Sequence, residues 1–259
     1  MNTTPNPPAR WTLSVAALLL LFTLDAGAAT FTLNPVADAF VTTGPSGNLS
    51  GNNYGGAGAL SVAASGLSNG EFQSLLRFDF SGAKAAFDTQ YGVGQWSIQS
   101  IVLQLTAAPP NNAIFNASAA GQFNVSWMQN DSWTEGTGTP AAPTTTGITF
   151  TTISSFLSAG DQALGTFSFA GGTNGAASYT LTLASGLDAD LTAGSLASLR
   201  LYAADSVVSY LSDSRSFGTA SARPLLTITV VPEPGAFSLL ALGATCGLGH
   251  RSRRRKRQP

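Results

Sequence analysis

An all-β fold, a two-sheet β-sandwich of jelly-roll type, is what this sequence predicts, and three observations carry the prediction. Several segments alternate apolar and polar residues with period two, the pattern of a strand with one buried face. Clusters of Gly, Asn and Pro separate these segments and supply the turns. Long amphipathic helices that would alternate with strands are absent, which argues against a parallel α/β architecture.

The clearest strand is 74–80, which sets Leu76, Phe78 and Phe80 on one face and Leu75, Arg77 and Asp79 on the other. Segment 97–106 brings Ile101, Leu103 and Leu105 together, and Phe123, Val125 and Trp127 alternate with Asn124, Ser126 and Met128. By that alternation Trp127 is a core residue. Further strands are expected at 166–169, 179–183, 199–203, 207–211 and 225–231, with short helical turns at 153–158 and 187–193. Strands at this density, spaced by turn residues, suit a two-sheet sandwich. The long loops 44–58, 109–120 and 136–147 are rich in Gly, Asn, Thr and Pro, and loops of that length are often functional.

Both ends of the chain read as addresses. Arg10 precedes an apolar run from Trp11 to Leu24, and Ala26-Gly27-Ala28-Ala29 follows. This is the layout of a secretory signal peptide, residues 1–28, with cleavage after Ala28 or Ala29. The run is shorter than the roughly 20 residues that span a bilayer, which argues against an anchor helix. At the other end an apolar stretch, 235–249, is followed by Arg251, Arg253, Arg254, Arg255, Lys256 and Arg257. Such a cluster stays on the cytoplasmic side and stops transfer. The short transmembrane helix suits a transient anchor better than a permanent one.

Between the ends, residues 29–231 carry five Lys or Arg against eleven Asp or Glu, a net charge of −6. With no basic stripe, nucleic acid is excluded as a partner. Cys246 and His250 are the only residues of their kinds, and both lie in the tail. The domain therefore has no disulfide, no Ser-His-Asp triad and no His- or Cys-ligated zinc. Carboxylate chemistry and oxygen-ligated calcium stay open.

Val231, Pro232, Glu233 and Pro234 stand directly before the apolar stretch and the basic cluster. The three parts in this order resemble the PEP-CTERM sorting signal of Gram-negative bacteria, over residues 231–259. The resemblance implies Sec export, recognition of the Pro-Glu-Pro motif by an exosortase, cleavage near it, and delivery to the envelope or extracellular matrix. Two prolines flanking Glu233 resist helix and sheet, so the motif is expected to stay extended and accessible.

A second resemblance spans the body of the chain. Asp38-Ala39-Phe40-Val41, Asn53-Tyr54-Gly55, Leu60-Ser61-Val62, Ser74-Leu75-Leu76-Arg77-Phe78-Asp79, Trp133-Thr134-Glu135-Gly136 and Arg223-Pro224-Leu225-Leu226 occur in that order. The series resembles the DNRLRE-type domain, a secreted β-sandwich classed among carbohydrate-binding modules. Where that family's charged segment would fall, the chain has Ser212-Asp213-Ser214-Arg215-Ser216-Phe217. The resemblance covers 29–230 as one domain and implies extracellular polysaccharide as the partner.

Plainer roles are weighed beside these. Arg77 and Asp79 share a strand face and are expected to form an ion pair or cross-strand hydrogen bond. Asn53-Tyr54-Gly55 reads as a turn whose Asn and Gly tolerate positive φ. Asp38 is expected to bond loop N–H groups rather than calcium, since no Asp-rich ligand run is present. Tyr54, in a loop, is the best candidate for an exposed ring on which a sugar stacks. Trp133 either lines a groove or seals an edge, and Glu135 beside it completes the candidate ligand-binding set. Asp131 with Glu135 is the one close carboxylate pair that a glycosidase could use. No catalytic residue or cofactor is assigned. The sequence thus points to an exported, envelope-sorted, non-catalytic, polysaccharide-binding β-sandwich. A structural matrix protein without a glycan ligand, or a carboxylate-based polysaccharide-degrading enzyme, are the alternatives.

Overall fold

The computed structural model describes residues 27–233 apart from 112 and 174. In chain order, β1 (Ala29–Leu33), β2 (Ala37–Thr42), β3 (Ala59–Ala63) and β4 (Phe72–Asp79) precede helix α1 (Ser81–Tyr91). Then come β5 (Trp96–Thr106), β6 (Gly121–Met128), β7 (Gln162–Phe169) and β8 (Ala176–Leu181). Helix α2 (Ser185–Ala193), β9 (Leu196–Ala203), β10 (Ser209–Asp213) and β11 (Leu225–Pro232) complete the domain. They form two antiparallel sheets, one ordered β1-β11-β5-β8 and the other β10-β3-β4-β9-β6-β7, with β2 also paired to β4.

Alternation in the sequence sorts the side chains between these sheets. Ile101, Leu103 and Leu105 of β5 and Leu226, Ile228 and Val230 of β11 face Leu76, Phe78, Phe123, Val125 and Leu199 of the larger sheet. This is the face assignment that the period-two pattern predicts. Trp127 is buried in the same core, and its Nε1–H donates to Asp190 Oδ2 at 2.7 Å. Helix α2 and a short 3-10 turn at Ile153–Phe156 fall where helical turns are expected. Helix α1 is not foreseen, because only Ala83 and Phe87 of its eleven residues are buried.

The outer face of the larger sheet is covered as well. Leu75 of β4 and Met128 of β6 point outward into a second cluster with Ala37, Ala39, Val41, Trp133, Ile148 and Ile153. A third cluster gathers Phe40, Tyr54, Phe72, Phe115 and Leu211. Strand β2 lies under this cover, and all six of its residues are buried.

Register places the two chain ends together. Ala29 pairs with Val230, and Pro232 pairs with Trp96 at the start of β5. Strand β5 runs away from this pole for ten steps to Thr106, roughly 33 Å at about 3.3 Å per residue. The motif is therefore less free than expected. Val231 and Pro232 end β11, and Glu233 N–H donates to Gln95 O at 2.9 Å. A terminal strand position tolerates a residue without an N–H. Ala28 and Ala29 are described, but the rest of the signal peptide, Pro234, the tail span and the cations Arg251, Arg253, Arg254, Arg255, Lys256 and Arg257 lie outside the described residues. Among the described residues no helix is long and apolar enough to cross a membrane.

Candidate functional site

Motif residues scattered along the sequence meet on the outer face of the larger sheet. Asp38 is the second residue of β2, and its N–H donates to Glu135 Oε1 at 3.0 Å. Its Oδ2 accepts the Arg215 N–H at 2.7 Å, the loop N–H bond expected for this side chain. Arg215 closes the triangle by donating Nε and Nη2 to the two Glu135 oxygens at 2.7 and 2.5 Å. Asp38 is 1% exposed and its Oδ1 has no partner among the described residues. Burial pushes its carboxyl up to about 7, against the Arg215 N–H bond, which lowers it.

Asn53 pins the next stretch of cover. Its Nδ2 donates to Glu135 O at 2.7 Å and Ile148 O at 2.8 Å, and its Oδ1 accepts the N–H groups of Gly55 and Gly138 at 3.2 Å. All four hydrogen-bonding positions of the amide are filled. Gly55 serves by lacking a side chain rather than by positive φ, since a Cβ there would lie 2.1 Å from Glu135 O. Arg77 does not pair with Asp79. It donates Nη1 to the carbonyls of Asp131 and Trp133, both at 2.7 Å, and its guanidinium lies 4.8 Å from the Trp133 ring centroid. Asp79 turns away to accept the Ser81 N–H at the start of α1.

This network revises the candidate ligand-binding set. Tyr54 is 1% exposed and stacks on Phe40 with centroids 4.6 Å apart. Trp133 is equally buried, and its Nε1–H donates to Ser198 Oγ at 2.8 Å. Neither ring offers a face to a sugar, because the Gly- and Asn-rich loops fold flat onto the sheet instead of projecting. Glu135 is engaged by Arg215 and Asp38. Nor do Asp131 and Glu135 share a cleft, since Asp131 lines a separate open groove with Gln129, Asn130, Ser132, Ser158 and Leu196. That groove holds no aromatic ring among the described residues, and its polar groups largely bond one another, as Asn130 does Ser132 and Ser158 does Gln129.

A different groove opens at the pole opposite the chain ends, where the segment after β5 meets the end of β10. It encloses about 410 Å³ and is lined by Ala59, Pro109, Phe115, Leu211, Asp213 and Phe217 among others. Its chemistry follows from alternation in β10. Tyr210 faces the inter-sheet core, so Leu211 and Asp213 face the opposite way, onto the aromatic cluster. Asp213 is 6% exposed, with no hydrogen bond or ion pair to its carboxylate among the described residues, and burial raises its pKa. Phe217 is 36% exposed. Sequence reading gave neither residue a role in binding, although Asp213 continues the alternation of the strand expected at 207–211.

No protein-family model matches the chain, and no curated protein matches it in sequence.

Proposed function

We propose that this is an exported, envelope- or matrix-sorted, non-catalytic protein that binds extracellular polysaccharide in the groove around Phe217 and Asp213. The observation that carries the reading is the groove itself. It combines an exposed aromatic ring, on which the apolar face of a sugar stacks, with a buried polar group that orients it. Its position adds support. On the sorting reading, cleavage after Ala28 and recognition of Pro232-Glu233-Pro234 both fall at the pole that would face the membrane. The groove at the far pole would face the matrix. Strand order fits as well. The series β1-β11-β5-β8 and β4-β9-β6-β7 supports reading the sandwich as an eight-stranded jelly roll, an architecture shared with lectin domains.

Retention of the full-length chain on a panel of neutral, amino and acidic polysaccharides tests the reading. At least one class is expected to retain it, and Phe217→Ala is expected to weaken retention about tenfold, as loss of a stacking contact would. No retention by any class would leave a purely structural surface protein in its place.

A further inference from the structure

Asp213 narrows the ligand further. We infer that the groove takes a glycan bearing a free amine, an amino sugar without its acyl group, with Asp213 as the counter-ion. The inference rests on the polysaccharide-binding reading and specifies its substrate class.

The argument begins with an imbalance. A carboxylate removed from water needs a partner, and nearly every buried charge has one. The half-buried Glu135 has Arg215, the half-buried Asp88 has Lys84 and the Trp96 Nε1–H, and the buried Asp38 accepts the Arg215 N–H through one of its two oxygens. Asp213 has none among the described residues; the residue is 6% exposed, and its side chain lines the open groove rather than joining the sealed, partnerless atoms Asp38 Oδ1 and Asp131 Oδ1. The cations nearest in sequence are committed elsewhere. Arg215 is bound to Glu135, and Arg223 Nε donates to Phe217 O at 2.9 Å. Among the described residues no other ionisable side chain lines the groove, whose other walls come from residues 57–59 and 107–109 with Asn111 and Phe115. Among its described lining residues the groove is therefore mostly apolar, with the amide of Asn111 and a single ionisable side chain, Asp213.

Ligand classes divide on that charge. A uronic acid would bring a second carboxylate against Asp213, within a domain already at net −6. A neutral sugar can donate a hydroxyl to Asp213 but leaves the charge uncompensated. An ammonium supplies both the hydrogen bond and the opposite charge, and such charge-assisted bonds are about twice as strong as neutral ones. The exposed ring of Phe217 adds a favourable surface for a cation. A lone carboxylate falls well short of the six or more oxygens that calcium takes.

Titration calorimetry with three hexasaccharides tests this on the full-length chain: fully deacetylated β-1,4-linked glucosamine, its fully N-acetylated counterpart, and a uronic acid hexamer. The deacetylated hexamer is expected to bind about tenfold or more tighter than the acetylated one, with the uronate weakest. Asp213→Asn keeps the shape and is expected to bring the first two within about threefold of each other. The same variant is expected to melt no lower than wild type, since it removes an unpaired buried charge. The preference should also fade as pH drops through the Asp213 carboxyl and as it rises past the ligand amine. Equal, Phe217-dependent binding of acetylated and deacetylated hexamers, or a preference that survives Asp213→Asn, overturns the amine assignment and leaves polysaccharide binding standing. No binding of any glycan overturns both.

Discussion

The space between the sheets and the cover on the outer face of the larger sheet bury side chains of similar size by different means. Between the sheets, Leu, Ile, Val and Phe from facing strands interlock, with few polar groups to satisfy. On the outer face, long loops lie flat over β2 and β4, and each must bring buried backbone groups with it. Those groups are met one by one, by Asn53 for the carbonyls of Glu135 and Ile148 and by Arg77 for those of Asp131 and Trp133. The difference teaches that the first region depends on volume and the second on identity. Tyr54, Trp133 and Glu135, which the sequence offers as a ligand-binding set, here belong to a loop layer that Asn53 and Arg77 hold in place.

Substitutions chosen for volume against identity break this comparison most sharply if it is wrong. Asn53→Ala leaves two carbonyls and two N–H groups without partners and is expected to cost on the order of 4 kcal/mol or more. Leu199→Met, deep between the sheets, nearly conserves volume and is expected to cost less than about 1.5 kcal/mol. Urea unfolding of the two variants reads both. An Asn53→Ala variant more stable than Leu199→Met would show that the cover does not depend on its polar pins. Next comes Arg77→Lys, expected to cost about 2–3 kcal/mol, because an ammonium cannot hold both carbonyls with a planar fork while lying over the Trp133 ring. A melting temperature equal to wild type would contradict that role.

How far the sequence disclosed these regions follows from the same contrast. Strand β5 was legible because Ile101, Leu103 and Leu105 are buried while the residues between them are less so. Strand β2 was not, because it is covered on both sides and its residues do not alternate. Tyr54 was misjudged because its Gly- and Asn-rich surroundings suggest a projecting loop, whereas Gly55 and Gly138 let the backbone approach too closely for any side chain. Asp213 was overlooked for a different reason. Burial without a partner is a property of the fold, and no composition or spacing encodes it.

Asp38 sharpens the comparison through pH. Its carboxyl is held at about 7 in the fold against an ordinary 3.8. The folded state therefore binds this proton more tightly than the unfolded chain. The resulting stability is full below about pH 4 and is lost as pH rises toward 7. Asp131 and Asp213 are also raised by burial, so the informative readout is the difference between wild type and Asp38→Asn. The amide oxygen of that variant would still accept the Arg215 N–H. Between pH 5 and 8 wild type is expected to lose about 2 kcal/mol more than the variant. Parallel stability curves would mean that Asp38 stays ionised in place, held by Arg215.

The smallest effect on stability is expected at Glu233, and there the sorting proposal stands apart from both regions. Its side chain is exposed, and its backbone N–H donates to Gln95 O. Glu233→Ala should therefore change the unfolding free energy by no more than about 0.5 kcal/mol. Export should also be unchanged, since the signal peptide is untouched. On the sorting reading, however, a peptidase that reads Pro232-Glu233-Pro234 loses its charged contact, and a larger membrane-associated form should accumulate. The pairing of Pro232 with Trp96 adds a second expectation. Part of the motif is tied to the sandwich, so processing should slow when the β11–β5 pairing is strengthened and quicken when it is loosened, even with Glu233 intact. Ile228→Ala, which removes a buried contact of β11 upstream of the motif, supplies the loosened case. Immunoblots of membrane and released fractions from the three strains separate the steps. If Glu233→Ala cells release a product of wild-type mass, the motif is only a linker. If Ile228→Ala leaves the rate of processing unchanged while the protein remains folded, cleavage does not wait on the strand.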